Sequence, residues 1–578
     1  MPAIVPWLLA VVVALPPLLG LYDLLARWAV DVPAWEEWRL AGWILDLLDG
    51  RYGIADLWEQ HNEHRPLVSR AILLALALAS GWNVYWELAA NVVVQGVAYL
   101  VFAAVGFSGV ARPARLAMLP AIAASAWLLF SPVQWENWMW GWQLAIFAMV
   151  CACAFVALGV ARWRGGWGGL AATWLAAIAG ALSFATGLAL VVLLPIAIAV
   201  HPAAGDRRRP AALLSVLVAA AFVAAYVTGL HLHPPTSHRP PPIDPRAEWY
   251  LVGYYVLVYL GAPLGVSVEP AWRWGLAGLV LLIVGWCALP RGERRSAVVV
   301  AWALVALVAV GAGLLTATGR GGYGIQSALI SRYTSIGTLL WIAVVFLWNH
   351  VLALRLRAPL VPRTAVALSA LAALVLGVGL ASYRDVARAG RERLVAHHLT
   401  LVERRECALG LARAPASCTE LLFRYEDVVR AALPAGARGY GLVRAVAAPP
   451  IAQWQRTAAP REPGGLEVVD PAAPGFVRVR GWAWNPFRRA PAREILLTVD
   501  GVVVQRVPVG LPRYDVWMQR QHLPLEVGFE TRLARFRFPP GEHVVTVWLP
   551  HHGDTRVVRL PGEGRFTTEA DVPAGAVR

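Results

Sequence analysis

Four short stretches hold most of the residues able to do chemistry. The first, DVPAWEEW, places Asp31, Glu36 and Glu37 directly after an N-terminal apolar run. A carboxylate there can act as general base on a hydroxyl. Trp35 and Trp38 beside it offer faces to a sugar or an anchor at a membrane interface; a solvated interfacial helix is the plainer alternative. The second, HNEHR, gathers His61, Glu63, His64 and Arg65. Two imidazoles and a carboxylate could take a divalent metal. The spacing is not that of HExxH and no distant third ligand is evident, which favours a hydrogen-bonded cluster that orders the loop or binds a polar substrate. The third, SPVQWENWMWGWQ, embeds Glu136 and Asn137 among Trp135, Trp138, Trp140 and Trp142. A tryptophan belt needs no such pair; polar groups among aromatics suit carbohydrate hydroxyls and lipid headgroups alike. The fourth, TATGRGGYGIQSALISRYTS, carries Arg320, Arg332 and Tyr333. A guanidinium grips phosphate oxygens in pairs, and Gly319, Gly321, Gly322 and Gly324 allow close backbone approach. Snorkelling of both arginines to ordinary headgroups is the alternative.

The elements that must position these groups are apolar helices. The chain has 578 residues, 58% hydrophobic and only 15% charged, against roughly a quarter charged in ordinary globular proteins. Apolar runs, many of them long enough for membrane helices, fill the chain up to about residue 382, at 4–25, 67–80, 84–108, 116–130, 142–160, 168–182, 187–200, 211–230, 249–266, 273–289, 297–318, 336–353 and 363–382. The first lacks a basic leader and a clear cleavage site, and reads as a retained helix. Clusters at Arg112/Arg115, Arg162/Arg164, Arg207–Arg209, Arg291–Arg295 and Arg355–Arg363 should be cytoplasmic. They all fall on one side if two runs do not cross, for which 67–80 and 249–266 are the best candidates, and this leaves about eleven crossings with the N-terminus inside. Loops 26–66, 131–141, 183–186, 231–248 and 319–335 then lie outside, and they contain nearly all the polar motifs.

Three regions follow: a membrane part over 1–383, a helical connector over 384–464 and a β-sandwich-like domain over 465–578. The connector holds Cys407 and Cys418, which in an oxidising compartment could pair; two free thiols are the alternative. Short β-branched runs and the Asp500-Gly501 turn signal mark the last region, where Trp482, Trp484, Arg513, Tyr514, Asp515 and Trp517 could contact sugar or fill a core. The net charge of +15 comes entirely from arginine, because the chain has no lysine. Its arginines sit in short clusters between apolar runs, so the charge reads as membrane topology and not as nucleic-acid binding. No GxxxxGK[ST], GxSxG or zinc framework occurs.

An acidic residue after the first membrane helix, long outer loops, an arginine site before the last helices and an outer terminal domain together resemble the GT-C class of glycosyltransferases. WEQHNEHR, SPVQWENWMWGWQ and GR…SRY are similar to segments of a bacterial membrane family grouped with that class, over about residues 1–385. The resemblance implies a polyprenyl-phosphate sugar donor, a glycan, lipid or protein acceptor, and inversion at the anomeric carbon. It implies Asp31 as base with Glu36 or Glu37 as competitors, and phosphate near Arg320 and Arg332. It also implies a bacterial plasma membrane, with the C-terminal domain periplasmic or extracellular. A non-catalytic lipid or glycan transporter and a membrane-anchored structural protein are the competing classes.

Overall fold

The computed structural model describes residues 4–110, 112–202, 205–231, 248–355, 363–441, 448–459, 462–472, 475–551 and 556–569, with side chains described at all of these except 112–114, 205–206, 355 and 363–376. Most of the expected outer loop 231–248, the Arg112 side chain and the Arg357 region therefore lie outside the described residues.

Each apolar run forms a helix, as a chain in lipid must to satisfy its own backbone donors and acceptors. Among the described residues eight helical segments are long and apolar enough to cross a membrane: Val5–Trp28, Val84–Ser108, Arg115–Met139, Gly141–Arg162, Arg207–Val227, Val268–Ala288, Ala297–Tyr323 and Ser331–Leu354. Leu67–Ser80 and Trp249–Gly261, where the charge pattern asks for non-crossing elements, are shorter apolar helices, as are Trp167–Ala181 and Ala185–Val200. At 1.5 Å per residue a helix of 14 residues reaches about 21 Å, short of a hydrocarbon core of roughly 30 Å. Leu175 is 69% exposed and Leu213 63% exposed on these helices, surfaces that suit lipid better than water. The last apolar run opens a single helix, Arg363–Leu409.

The chain divides into two compact units. One comprises Met1–Leu24, Gly50–Leu76 and Trp86–Leu394; the other comprises Leu25–Asp49, Ala77–Tyr85 and Val395–Arg578. This division differs from the linear one read in the sequence. The first outer loop is cut after Asp49, and its two halves belong to different units.

In the helical unit, small residues let helices approach closely. A Cβ on Gly261 would strike the Ala271 carbonyl, and one on Gly275 would strike the Leu257 carbonyl. This is the small-residue packing expected where apolar burial gives helices no reason to associate.

In the second unit two sheets share one core. One pairs Gln455–Arg456, Arg556–Arg559, Gly541–His551, Glu494–Val499 and Val502–Pro508 in that order, with Gly564–Thr568 also on Gly541–His551. The other pairs Gly464–Pro471, Phe476–Asn485 and Ala490–Pro491, with Gly528–Ala534 also on Phe476–Asn485. Val477, Val479 and Phe529 of the second sheet pack with Ile495, Leu497 and Val547 of the first. Asp500 and Gly501 both take positive φ and turn Glu494–Val499 into Val502–Pro508, as a two-residue hairpin requires. Trp482 is buried with Val516, Leu523 and Val527, while Tyr514 and Trp517 stay exposed. Arg513 is held by Glu467 at 2.8 Å and by Asp515. The sulfurs of Cys407 and Cys418 are joined, with their Cα atoms 5.6 Å apart.

Candidate functional site

The helical unit brings three of the four chemical stretches together. HNEHR folds as a tight reversal. His61 N–H donates to the His64 carbonyl at 2.8 Å and His64 N–H returns the bond to His61 at 3.1 Å. Asn62 at the tip takes φ +51°, which asparagine tolerates well. The two imidazoles thereby face each other edge-on, with ring centres 5.7 Å apart. His61 lies against Trp142 at 4.9 Å and His64 against Phe184 at 5.3 Å. Ser69 Oγ donates to the Ser183 carbonyl at 3.4 Å, and Gln60 exchanges bonds with the backbone of His231. Three of the expected outer loops, 26–66, 183–186 and 231–248, thus meet around this turn.

Each charged group in the turn has a definite environment. Glu63 takes a hydrogen bond from Arg320 at 3.0 Å, an ion pair between residues 257 apart in sequence. Burial, aided by the Arg320 and Arg70 cations, pushes the His64 imidazole down to about 3, so it is neutral at physiological pH. Its Nε2 is buried and meets no hydrogen-bond partner among the described residues. Arg65 is committed to backbone carbonyls: Nε to Tyr226 at 3.0 Å, one terminal nitrogen to Trp58 at 2.9 Å and the other to Thr228 at 2.7 Å. It anchors the loop. No group of three His, Cys, Asp or Glu side chains converges as metal ligands would, among the described residues.

The WEN and SRY segments are joined directly. Glu136 Oε2 accepts from the Ser331 hydroxyl at 3.0 Å and from the Arg332 backbone N–H at 3.3 Å. Its other oxygen carries no hydrogen bond among the described residues. Asn137 donates to the Arg332 carbonyl at 3.0 Å and to the Ser335 hydroxyl at 2.6 Å. Trp135 opens the short helix that presents both residues. The Arg332 guanidinium lies 5.9 Å from the Trp140 ring and 5.9 Å from the Tyr333 ring. No carboxylate lies within ion-pair distance of it among the described residues, and its Nε is buried without a hydrogen bond. Its charge is held by aromatic faces. Ser327 Oγ contacts the Arg320 carbonyl at 3.3 Å and the Tyr255 hydroxyl at 3.2 Å, which ties the loop after Arg320 to the Trp249–Gly261 helix.

Of the residues that hold this arrangement, Asn91 was missed in the sequence. Asn91, fully buried, donates to the Asn137 and Trp140 carbonyls, each at 3.1 Å. Gln95, one turn on, donates to Leu129 O at 3.1 Å. With Glu87 they form a polar stripe at intervals of four along an apolar helix. That spacing is visible in the sequence.

The fourth stretch belongs to the other unit. Asp31 Oδ1 accepts the Val84 N–H at 2.9 Å, an anion at the start of the Val84–Ser108 helix. Glu37 is fully buried and Oε2 accepts the Ala34 N–H at 2.8 Å. Glu36 is half-buried in the same short helix. Trp35 takes a left-handed φ of +45° and is packed between His397 and Arg404. In the helical unit a groove of about 460 Å³ is walled by Trp127, Leu128, Leu264, Trp341, Trp348 and Tyr383. Along the same helices a smaller cleft is lined by Val133, Leu329, Ser331, Thr334 and Gly390, next to Glu136. No family model, curated protein or solved structure matches this chain.

Proposed function

We propose that the protein is a membrane glycosyltransferase that moves a sugar from a polyprenyl-phosphate-linked donor to a hydroxyl of a glycan, lipid or protein acceptor, with inversion. The observation that carries this reading is Arg332: a guanidinium held by two aromatic rings, with no carboxylate partner among the described residues, beside a carboxylate with one uncommitted oxygen. Such a cation suits a phosphate, and the helical unit also holds an apolar groove that suits a hydrocarbon chain. In the reaction, Glu136 takes the acceptor hydroxyl proton. The hydroxyl oxygen bonds to the anomeric carbon as the carbon–oxygen bond to phosphate breaks. The lipid phosphate leaves with the bonding electrons, its charge met by Arg332 and, once Glu63 yields it, Arg320. His64 and Asn137 border the sugar. The base is placed on Glu136 and not on Asp31, whose carboxylate already serves a helix start in the other unit.

The same reading carries the topology: about eleven crossings, a cytoplasmic N-terminus, and polar loops on the outer face of a bacterial plasma membrane. A transporter without chemistry is favoured by one feature, the stripe Glu87, Asn91, Gln95. Two of its three members are occupied with backbone carbonyls, which leaves little of a polar path.

Binding of purified protein to a panel of polyprenyl-phosphate sugars, followed by transfer to added acceptors, separates these readings. Saturable binding weakened by Arg332→Ala, with transfer lost in Glu136→Gln while binding is kept, supports the transferase. Binding in the wild type with transfer to no acceptor shifts the weight to transport. Binding that neither Arg332→Ala nor Arg320→Ala changes removes the phosphate assignment.

A further inference from the structure

A second groove lies at the other end of the helical unit. The Leu144–Arg162 helix starts beside Trp142 and ends about 28 Å away, at 1.5 Å per residue. There a groove of about 470 Å³ opens between its last turns and the first turns of the Trp167–Ala181 helix. Phe155, Leu158, Ala172 and Ala176 make its walls apolar, and Phe155 is 43% exposed. Arg162 and Arg164 stand at its mouth, both exposed. Neither has a carboxylate partner among the described residues, and no acidic side chain lines the groove.

The local sequence explains this arrangement. Trp163, between the two arginines, turns inward. It is 4% exposed, donates its indole N–H to the Gly166 carbonyl at 3.1 Å and packs on His201 at 5.1 Å. Gly165 takes φ +84°, which reverses the chain at once. Anchoring the tryptophan throws both arginines outward. Arg162 Nε donates to Ser108 Oγ at 3.1 Å, which fixes its stem and orients its terminal nitrogens. The Trp167–Ala181 helix begins at Gly166 without a side-chain cap, so its first amides add donors at the same mouth.

We propose that this groove binds an anionic glycerophospholipid, with the phosphate between Arg162 and Arg164 and one acyl chain along Phe155, Leu158, Ala172 and Ala176. Charge complementarity selects the occupant. Two arginines and no acid favour a net negative headgroup and disfavour one that carries its own ammonium. The apolar wall adds nothing for a free phosphate and much for a chain. A lipid seated there would fasten the ends of two helices, about a hydrocarbon thickness away from the polar cluster. The inference is independent of the glycosyltransferase reading.

The test is native mass spectrometry of the purified full chain in detergent, titrated with phosphatidylglycerol or phosphatidylcholine. Wild type should retain phosphatidylglycerol in preference. The double variant Arg162→Gln/Arg164→Gln should bind it about tenfold more weakly or worse, and Arg162→Lys/Arg164→Lys should recover much of the binding. Ala172→Trp keeps both charges but fills the groove, and should also weaken retention. Size-exclusion profiles identify any variant that fails to fold, and for such a variant competition by excess phosphatidylglycerol over phosphatidylcholine on the wild type gives the same decision. Equal retention of the two lipids, or unchanged retention in the glutamine variant, overturns the proposal. So does retention that falls in that variant, ignores Ala172→Trp and is competed by inorganic phosphate, because that pattern is a bare phosphate site.

Discussion

Two arginines with the same sequence signature have opposite electrostatic settings. Arg320 spends its charge on Glu63, whereas Arg332 rests on Trp140 and Tyr333. Arg332→Ala should therefore weaken binding of a lipid-linked phosphate by at least tenfold in a titration. Arg332→Lys should recover only part of it, because an ammonium loses the planar fork and the ring stacking. Glu136→Gln keeps the shape and the acceptor for Ser331 but not the basicity. If Glu136 is the base, the transfer rate falls by about 10²–10⁴-fold with donor binding retained. Loss of both together would mark Glu136 as structural. The residue types at these positions were legible in the sequence. Their partners were not, because a contact such as Glu63 with Arg320 leaves no local trace.

Helices were the most readable elements. Each satisfies its backbone within itself, so hydropathy locates it, and every apolar run lies in a helix, although the last continues well past its apolar part to Leu409. The break after Asp49 was not readable, since it depends on which distant elements each half of the loop packs against. The site loop shows the same dependence. Its shape is held by Asn91, whose amide reaches carbonyls 46 and 49 residues away. Asn91→Leu leaves two buried carbonyls without that donor, at a cost of about 1–3 kcal/mol. It should lower the melting temperature and donor binding together, whereas Arg332→Ala lowers binding alone. Closer packing is tested at Gly275, where a leucine cannot fit against the Leu257 carbonyl; Gly275→Leu should reduce the yield of folded protein in detergent. In the second unit the Cys407–Cys418 bridge closes a short loop, and Cys407→Ser/Cys418→Ser should destabilise that unit by about 3 kcal/mol in denaturant.

The whole molecule keeps several histidines neutral by burial. His64 is pushed down to about 3, and His397 and His398 each to about 4. The unfolded chain binds these protons near 6.5 and the folded chain only well below, so the folded state is at its full advantage above pH 6.5 and loses it as pH falls towards 4. Thermal melting should drop steeply across that window, and His64→Gln should flatten the drop. A curve unchanged by that substitution would show that the imidazole is not held neutral in solution. The ion pair of Glu63 with Arg320 has a consequence at this scale too. A bilayer presents a vast excess of singly charged phospholipids, any of which could occupy an open arginine. Here one of the two guanidinium groups already has an internal anion, so a visitor must outcompete a tethered carboxylate to gain it. Ordinary lipids with one negative charge exchange one anion for another and gain little. If the proposed donor binds here, its sugar-linked phosphodiester also has one charge and leaves the pair intact; only the departing phosphomonoester, which gains a second charge as the sugar leaves, would recover the cost of parting Glu63 from Arg320.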